Sequence, residues 1–239
     1  MIIQGKDVYF TDLNKAIKQA DATEVTVENI IGQRYIGSGV EGKNLILYGT
    51  PGNALGAYLN NCNITVHGNV QDAVGDTMNN GEIIVHGNGG DTLGYAMRGG
   101  AIYVKGNGGY RVGIHMKEYK ELKPVIVVGG KVGSFLGEYQ AGGIIVILGL
   151  GVENIFPTGN YCGTGMHGGV MYIRSDVPPE NLPRHLIVKK CIKEDLNQIM
   201  PFIKNYCQLF NVKEADIFKK SFYKLTPGAN HYNTIYAPN

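Results

Sequence analysis

Two glycine-rich stretches carry the residue pattern that binds dinucleotides in many enzymes. Gly37 to Gly42 and Gly163 to Gly168 both spell GxGxxG. That chemistry requires a strand before the glycines and a helix after them, so that the pyrophosphate meets the helix N-terminus. Aliphatic, strand-like runs follow both stretches instead. The first stretch, extended to Lys43, also resembles a phosphate-binding loop, but Asn44 stands where a magnesium-binding Ser or Thr is required. We expect turn glycines here and no nucleotide site.

The histidines do not form a metal-binding motif. His67 and His86 could bind a metal together, but no third ligand keeps the spacing between them. A solvated, stacked pair is the favoured interpretation. His115 and His167 could contact a partner, and a corner or surface position is the favoured alternative for both. The position of His67 recurs along the chain, and all of its occupants are expected to face outward: Tyr48, His67, His86, Lys105 and Arg174.

Cysteines and acids give no sign of a catalytic centre either. Asp72 and Asp91 share one spacing with Asn53, Tyr110 and Ser134, which is typical of a surface position rather than of a catalytic pair. The cysteines show no CxxC spacing and are expected to be reduced: Cys62, Cys162, Cys191 and Cys207. We therefore predict no catalytic, cofactor-binding or metal-binding residue in this chain.

The elements that position these residues are repeats, because glycines recur with a 19-residue period. A second series, beginning at Gly49, keeps the same interval and is offset from the first by seven positions. A fixed period of this size indicates stacked repeats, none of which folds alone. Two insertions interrupt the rhythm. The structural repeat glycines of the first series are Gly37, Gly56, Gly75, Gly94, Gly113, Gly137 and Gly163.

Apolar residues keep fixed positions in each repeat, as Ile64 and Val66 do in one repeat and Ile83 and Val85 in the next. Their period of two predicts strands. A repeat this short has too little chain for a strand plus a crossover helix. We predict an all-β fold, a single-stranded right-handed parallel β-helix of about seven coils with short N-terminal and C-terminal helical caps.

Three segments are predicted. Residues 1–35 form an N-terminal cap with a helix from Asp12 to Ala20, residues 36–175 form the β-helix, and residues 176–239 form a linker and a helical cap. In the last segment Pro201 is expected to kink a helix or to lie near its start. A short helix is expected near residues 213–220. The tyrosines beyond it are expected to extend along a neighbour: Tyr223, Tyr232 and Tyr236.

Charge and hydropathy exclude several classes of function. The chain has 22 basic and 20 acidic side chains, a formal net charge of +2, and no basic run of the kind that binds nucleic acid or anionic membrane. No apolar stretch approaches the roughly 18 residues of a membrane-spanning helix, and Met1 to Gln4 is not a signal peptide. We expect a cytoplasmic protein that binds neither nucleic acid nor membrane.

The two insertions are the places where partners are expected. The first, residues 117–124, is charged and should protrude. The second, residues 150–161, is too apolar for an idle surface loop and packs either on its own repeats or on another protein; both alternatives stay open. The candidate partner contacts are Lys117, Tyr119, Val152, Ile155, Phe156 and Tyr161.

A family resemblance rests on three stretches. Val85 to Gly100, VHGNGGDTLGYAMRGG, resembles the GXGXG domain, a right-handed β-helix that closes the large (alpha) subunit of glutamate synthase and recurs in one of the subunits of formylmethanofuran dehydrogenase. Tyr139 to Gly149, YQAGGIIVILG, is similar to the YMTGGxVVVLG stretch of glutamate synthase, and Gly163 to Gly169 is similar to its GAGMSGG stretch. The resemblance covers about residues 28–175 and, more loosely, the helical tail.

The resemblance implies a non-catalytic structural subunit of a glutamate synthase-type complex, which transfers the amide nitrogen of glutamine to 2-oxoglutarate. Its implied partners are the central FMN subunit and a glutamine amidotransferase subunit, with FMN and the iron–sulfur cluster on the partner. The chain departs from the family by consisting of the β-helix alone. Alternatives are a scaffold like the GXGXG subunit of a formylmethanofuran dehydrogenase-type oxidoreductase, or a stand-alone β-helix enzyme. A homo-oligomer is left open.

Overall fold

The structure is a computed structural model and describes residues 1–228, which form eleven strands and three helices. The strands are β1 (Ile2–Gln4), β2 (Glu24–Ile31), β3 (Asn44–Thr50), β4 (Cys62–His67), β5 (Gly81–Val85), β6 (Ala101–Val104), β7 (Val125–Val128), β8 (Ala141–Ile147), β9 (Gly168–Arg174), β10 (Leu186–Lys190) and β11 (Phe222–Pro227). The helices are α1 (Phe10–Gln19), α2 (Lys193–Phe210) and α3 (Glu214–Ile217).

All of these strands belong to one sheet in the order β1-β2-β3-β4-β5-β6-β7-β8-β9-β11-β10. Strands β1 to β9 pair in parallel, whereas β11 is antiparallel to both β9 and β10. The fold is therefore mostly β, with a single large, mostly parallel sheet and few helices. No helix lies between β2 and β9, as the short repeat requires.

The pairing register confirms the 19-residue repeat. Ile64 pairs with Ile83, and Ile83 pairs with Ile102, so equivalent positions of successive repeats lie side by side. The first insertion does not disturb this register, because Ile102 pairs with Ile126 on its far side. Like side chains therefore form continuous columns across the sheet.

The repeats also bond to one another away from the sheet. Each structural repeat glycine after the first donates its N–H to a carbonyl of the preceding repeat, as Gly94 does to Val74 (2.8 Å) and Gly137 does to Val112 (2.8 Å). We call the five-residue segments centred on these glycines the turn segments. Each repeat is therefore held to its neighbours by a strand pairing and by a turn-segment pairing.

One face of the sheet covers the main aliphatic core. Ile83, Ile102 and Ile126 are fully buried there, and α1 adds Leu13 and Ile17 at the N-terminal end. Burial of each such side chain contributes about 1.5–3 kcal/mol before conformational entropy is subtracted. A helix was predicted from Asp12 to Ala20, and α1 spans Phe10–Gln19.

The core contains one glutamine at a column position that is otherwise apolar. Gln140 has no exposed surface, and Met116 and Met166 hold the equivalent positions in the neighbouring repeats. Its Nε2 donates to the carbonyls of Gly142 and Gly143, both at 3.1 Å. Its Oε1 accepts no hydrogen bond from the described residues.

The opposite face of the sheet carries a second core, under α2. Tyr103, Val127 and Tyr172 on the strands pack with Ile203 and Tyr206 of the helix. The Tyr172 hydroxyl donates to the Gln198 side chain at 2.7 Å, and the Tyr206 hydroxyl donates to the Lys105 carbonyl at 3.1 Å. The helix thus crosses the strands from β9 toward β6. Sequence reasoning placed α2 at the end of the repeats and missed this side-on packing.

The C-terminal segment contains the two predicted helices, α2 and α3, together with two strands that were not predicted. Two strands, β10 and β11, extend the sheet beyond β9, and Tyr223 pairs there with Ile173 and Lys190 of its own chain rather than with a neighbour. Helix α2 continues through Pro201, so of the two alternatives predicted for this proline, the position near the helix start is wrong. Tyr232 and Tyr236 lie outside the described residues.

All four cysteines are free thiols. Cys162 is buried at a column position, and burial raises the pKa of its thiol to about 12. Such a thiol packs as a small apolar side chain. Within residues 1–228, no helix is both long enough and apolar enough to cross a membrane.

Candidate partner-binding surface

The turn segments place side chains on the outside of the molecule through an unusual backbone conformation. In every repeat the central glycine and the residues two before and two after it have positive φ; in the repeat of Gly94, Thr92, Gly94 and Ala96 have φ of 55°, 73° and 50°. Only the central position is always glycine. A Cβ at the central position would meet a core side chain, as it would meet Ile126 at Gly94, whereas most of the flanking positions carry residues other than glycine. The flanking positions therefore form two columns of side chains.

The column before the central glycines ends in three stacked groups. The Arg111 guanidinium lies over the Phe135 ring, 4.8 Å from its centroid, and Phe135 stacks on Tyr161 with the centroids 4.9 Å apart. Tyr161 is 60% exposed. Arg111 Nε also bonds Glu138 Oε2 at 3.0 Å, which is a second contact between Arg111 and the turn segment of Gly137. Arginine and tyrosine are enriched among the residues that dominate binding at protein interfaces.

The column after the central glycines carries a second stack. His115 stacks on Tyr139, with the ring centroids 5.3 Å apart and nearly parallel, and Tyr95 meets the His115 ring edge-on. Gly165 leaves room for this arrangement, because a Cβ there would lie 2.5 Å from the Tyr139 ring. We define the aromatic strip as both stacks together: Tyr95, Arg111, His115, Phe135, Tyr139 and Tyr161.

The two stretches that carry the glutamate synthase resemblance lie side by side in this region. The Tyr139 N–H donates to the Thr164 carbonyl at 2.9 Å, and the His167 N–H donates to the Gln140 carbonyl at 2.9 Å. The rings of Tyr139 and Tyr161 therefore belong to neighbouring turn segments. The sequence marked both stretches without showing that they touch.

The first insertion stays close to the repeats. Tyr119 is 50% exposed and forms an isolated bridge with Leu122, while Lys117 is exposed. Glu118 Oε1 accepts the Gly143 N–H at 3.0 Å, which fastens the insertion to the next repeat. The predicted contacts Lys117 and Tyr119 are thus available at the surface, and their role as partner contacts stays a prediction.

The second insertion packs on its own chain. Phe156 contacts the main core and meets the Tyr223 ring edge-on, with centroids 6.3 Å apart. Lys220 holds the insertion from the other side, since its Nζ bonds the Val152 carbonyl at 3.1 Å and Glu153 Oε2 at 3.3 Å. Val152 and Phe156 are partly buried by these contacts.

Two predicted partner contacts of the second insertion remain well exposed, Ile155 at 56% and Tyr161 at 60%. Of the six predicted contacts, Tyr161 is the one that the structure joins to the aromatic strip, through its stacking on Phe135. His115 was noted from the sequence as a possible partner contact. The remaining rings of the strip were missed, because stacking between repeats shows only when the turn segments are aligned.

The repeated histidines stack as predicted. Tyr48, His67 and His86 form a continuous column with centroids 4.6 and 4.8 Å apart, and Phe210 of α2 meets His86 edge-on at 5.2 Å. Burial, with smaller effects of His67 and Lys105, lowers the pKa of His86. Within residues 1–228, no group of three His, Cys, Asp or Glu side chains converges as a metal site would require.

The sequence predicted that Arg174 faces solvent, and this prediction is wrong. Arg174 is 5% exposed, because α3 covers it and because its guanidinium donates to the carbonyls of Leu148, Asp216 and Ile217. Burial lowers the pKa of this guanidinium. Its role in the structure is to fix α3 and the end of β8 to β9.

The repeated acids bind the backbone of the following repeat. Asp72 Oδ1 accepts the Asp91 N–H at 2.8 Å, and Asp91 Oδ1 accepts the Tyr110 N–H at 2.8 Å. Asn53 makes the same contact to the Asp72 N–H at 3.3 Å. These side chains therefore connect repeats, and an amide oxygen can take the place of a carboxylate oxygen in this contact.

The arrangement defines a class of protein: a repeat protein whose polar columns hold its repeats together and whose candidate site is an exposed surface. The GXGXG motif model matches residues 11–230, and the chain belongs to this family. It is 38% identical to the uncharacterized protein MJ1350 of Methanocaldococcus jannaschii, over all of this chain and 97% of the relative.

A solved structure has a similar fold. A chain of the formyltransferase/hydrolase complex of Methylorubrum extorquens, crystallised with methylofuran, matches with a TM-score of 0.62 and 18% identity. The match covers 88% of this chain and 80% of that chain. At this level of identity the likeness concerns the fold.

Proposed function

We propose that this chain is a non-catalytic structural subunit of a multi-subunit complex, in the manner of the GXGXG subunit of a formylmethanofuran dehydrogenase-type oxidoreductase. The observation that carries the proposal is the fold, which matches a chain of the formyltransferase/hydrolase complex over 88% of this chain. Membership of the GXGXG family over residues 11–230 supports it. The comparisons favour this alternative over the glutamate synthase assignment that the sequence motifs suggested.

We further propose that the repeats wind as a right-handed parallel β-helix of about seven coils, with residues 1–35 as its N-terminal cap and residues 36–175 as its body. Residues 176–228 extend its C-terminal end through β10 and β11. Support comes from the two sets of bonds between repeats, one in the sheet and one between turn segments. We infer a right-handed helix because connections between parallel strands are nearly always right-handed. A β-helix whose repeats are bonded at two places is rigid and could hold partners at a fixed distance.

In this role the aromatic strip is the docking surface. Its rings are already stacked on one another, so binding would immobilise few free side chains and would lose little conformational entropy. The Arg111 guanidinium, fixed by Phe135 and Glu138, adds a positioned hydrogen-bond donor. The cofactors of the complex, together with its chemistry, belong to the partner subunits in this proposal.

A glutamate synthase-type complex is the second candidate. It is favoured by the two motif stretches, Tyr139 to Gly149 and Gly163 to Gly169, which are in direct contact in the structure. In that case the partners would be an FMN and iron–sulfur subunit and a glutamine amidotransferase subunit. Both candidates give this chain the same structural task and differ in the subunits that it holds.

Purification from the native host tests both candidates. The full chain, tagged, is isolated at low salt, and the retained subunits are identified by mass spectrometry. Subunits of a formylmethanofuran dehydrogenase-type enzyme support the first candidate, whereas an amidotransferase with a flavin subunit supports the second. Glutamine-dependent consumption of 2-oxoglutarate by the isolated complex provides an independent readout for the second. Recovery of the chain alone would contradict the structural role.

A further inference from the structure

Strand β10 forms an open edge of the sheet. Within residues 1–228 it pairs on one side only, with β11. The Cys191 N–H donates to the Phe222 carbonyl at 2.8 Å, and the Gly228 N–H donates to the His185 carbonyl at 2.6 Å. Because residues of an antiparallel pair alternate in direction, the N–H and C=O groups of Val188 and Lys190 point away from β11. The outer side of β10 therefore presents main-chain donors and acceptors.

The side chains of this edge are also accessible on both faces. Val188 lies opposite Leu225, whose side chain is in the main core, and Lys189 lies opposite Lys224, whose Nζ bonds Asp195 of α2 at 2.7 Å. Successive residues of a strand point to opposite faces. One face thus carries Val188 and Lys190, and the other carries Ile187 and Lys189. Val188 is 38% exposed and Ile187 is 43% exposed.

The charged side chains of the edge segment itself are all cations. Residues 184–193 contain no Asp or Glu, although the whole chain is close to neutral with a formal charge of +2. The acids that follow are Glu194 and Asp195 of α2, and Asp195 is already paired with Lys224. A strand added beside β10 would meet a β-branched apolar side chain and a lysine on each face. The cations of this segment are Arg184, Lys189, Lys190 and Lys193.

We infer that the β10 edge binds an extended, acidic segment of a partner subunit, which adds to the sheet as a further strand. Main-chain hydrogen bonds supply affinity in this mode of recognition, and alternate side chains supply specificity. A second copy of β10 would bring lysines close to lysines, which is unfavourable between neighbouring strands. The inference rests on the proposed structural role and names one of its contacts.

Charge reversal tests the inference in the assembled protein. The tagged full chain is isolated from its native host as wild type and as the Lys189→Glu/Lys190→Glu variant. A matched control, Lys15→Glu/Lys18→Glu, reverses two exposed charges on α1 at the other end of the sheet. We expect the β10 variant to retain one identified subunit about tenfold less than wild type. The control should retain all subunits.

Two measurements establish the contact itself. Zero-length carbodiimide crosslinks should join Lys189 or Lys190 to Asp or Glu residues of the lost subunit. Hydrogen exchange at the Val188 and Lys190 amides should slow in the complex relative to the isolated chain. Val188→Pro, which removes an N–H that points away from β11, should weaken retention while the isolated chain keeps its unfolding temperature.

The outcomes separate the inference from the proposed function. If wild type retains no subunit, the structural role itself fails. If wild type and the β10 variant retain subunits equally, the structural role stands and the inference fails, because the lysines then serve only to protect an edge from aggregation. Crosslinks between two copies of β10 would overturn the inference in favour of self-association.

Discussion

A Cβ atom on Gly94 would lie 2.4 Å from Cδ1 of Ile126 in the following repeat. The same relationship links Gly75 to Ile102 at 2.5 Å and Gly113 to Ile145 at 2.4 Å. Glycine is therefore favoured at the centre of the turn segments for two reasons: the backbone has a positive φ, and a core side chain lies too close for a Cβ atom. The residue two positions later, Ala96, has φ of 50° and shows that positive φ alone does not demand glycine.

Gly94→Val is expected to destabilise the protein by about 2–5 kcal/mol, since it combines left-handed backbone strain with overpacking of the core. Ala96→Val, at a position that already carries a Cβ, should cost clearly less. Denaturant unfolding of both variants measures the difference. Ile126→Val should recover part of the loss in a Gly94→Ala background, and equal losses for the two valine variants would contradict the assignment.

Asp91→Ala is expected to cost about 0.5–1.5 kcal/mol, because the Tyr110 N–H loses its side-chain acceptor. Asp91→Asn keeps that acceptor and should cost little, as Asn53 makes the equivalent contact in an earlier repeat. Chemical denaturation of both variants checks the pair. An equal loss for the alanine and asparagine variants would show that the carboxylate has a different role.

Acid should weaken the packing of α2 at His86. Since burial lowers the pKa of His86 in the folded state, the unfolded chain binds more protons as the pH falls below about 6.5. The stability gained from the neutral ring is present above that pH and is lost below it. We expect His86→Gln to lose less unfolding temperature between about pH 7.5 and 5.5 than wild type does. An identical acid loss in the variant would refute this origin.

The aromatic strip should matter for assembly and not for folding. Tyr139→Ala/Tyr161→Ala is expected to lose subunits on purification while its unfolding temperature changes by only a few degrees. Tyr35 and Tyr58 hold the same two turn-segment positions near the N-terminal end, so Tyr35→Ala/Tyr58→Ala is a matched control. The strip would be excluded as a docking surface if both double variants retained the same subunits.

The repeat could be predicted from the sequence because its physical causes are local and recur at a fixed interval. Ile83 and Ile102 occupy equivalent positions one repeat apart, and the sheet pairs them directly. Gly94 and its equivalents likewise predicted the turns, because they recur at the same interval. The strands β10 and β11 could not be found in this way, because they lie outside the repeat and pair antiparallel through contacts distant in sequence.

The candidate surface was only partly visible in the sequence. Tyr161 was predicted as a partner contact. Its stacking on Phe135 could not be predicted, because it depends on the backbone path of the second insertion, which the sequence does not give. Arg174 shows the opposite failure. Its position in the repeat predicted an exposed side chain. Helix α3 buries it instead, although α3 is distant in sequence, and the guanidinium donates hydrogen bonds to three carbonyls.

The sequence by itself determined the period, the strands of the repeats, the turn glycines and the apolar columns, since each follows from residues that repeat at equal spacing. Only the tertiary structure decided which outward side chains remain exposed, because α2, α3 and the second insertion cover some columns and leave others open. Which columns are covered depends on where these non-repeating segments pack, and the sequence period contains no information about that packing. These segments leave the aromatic strip and the edge of β10 exposed.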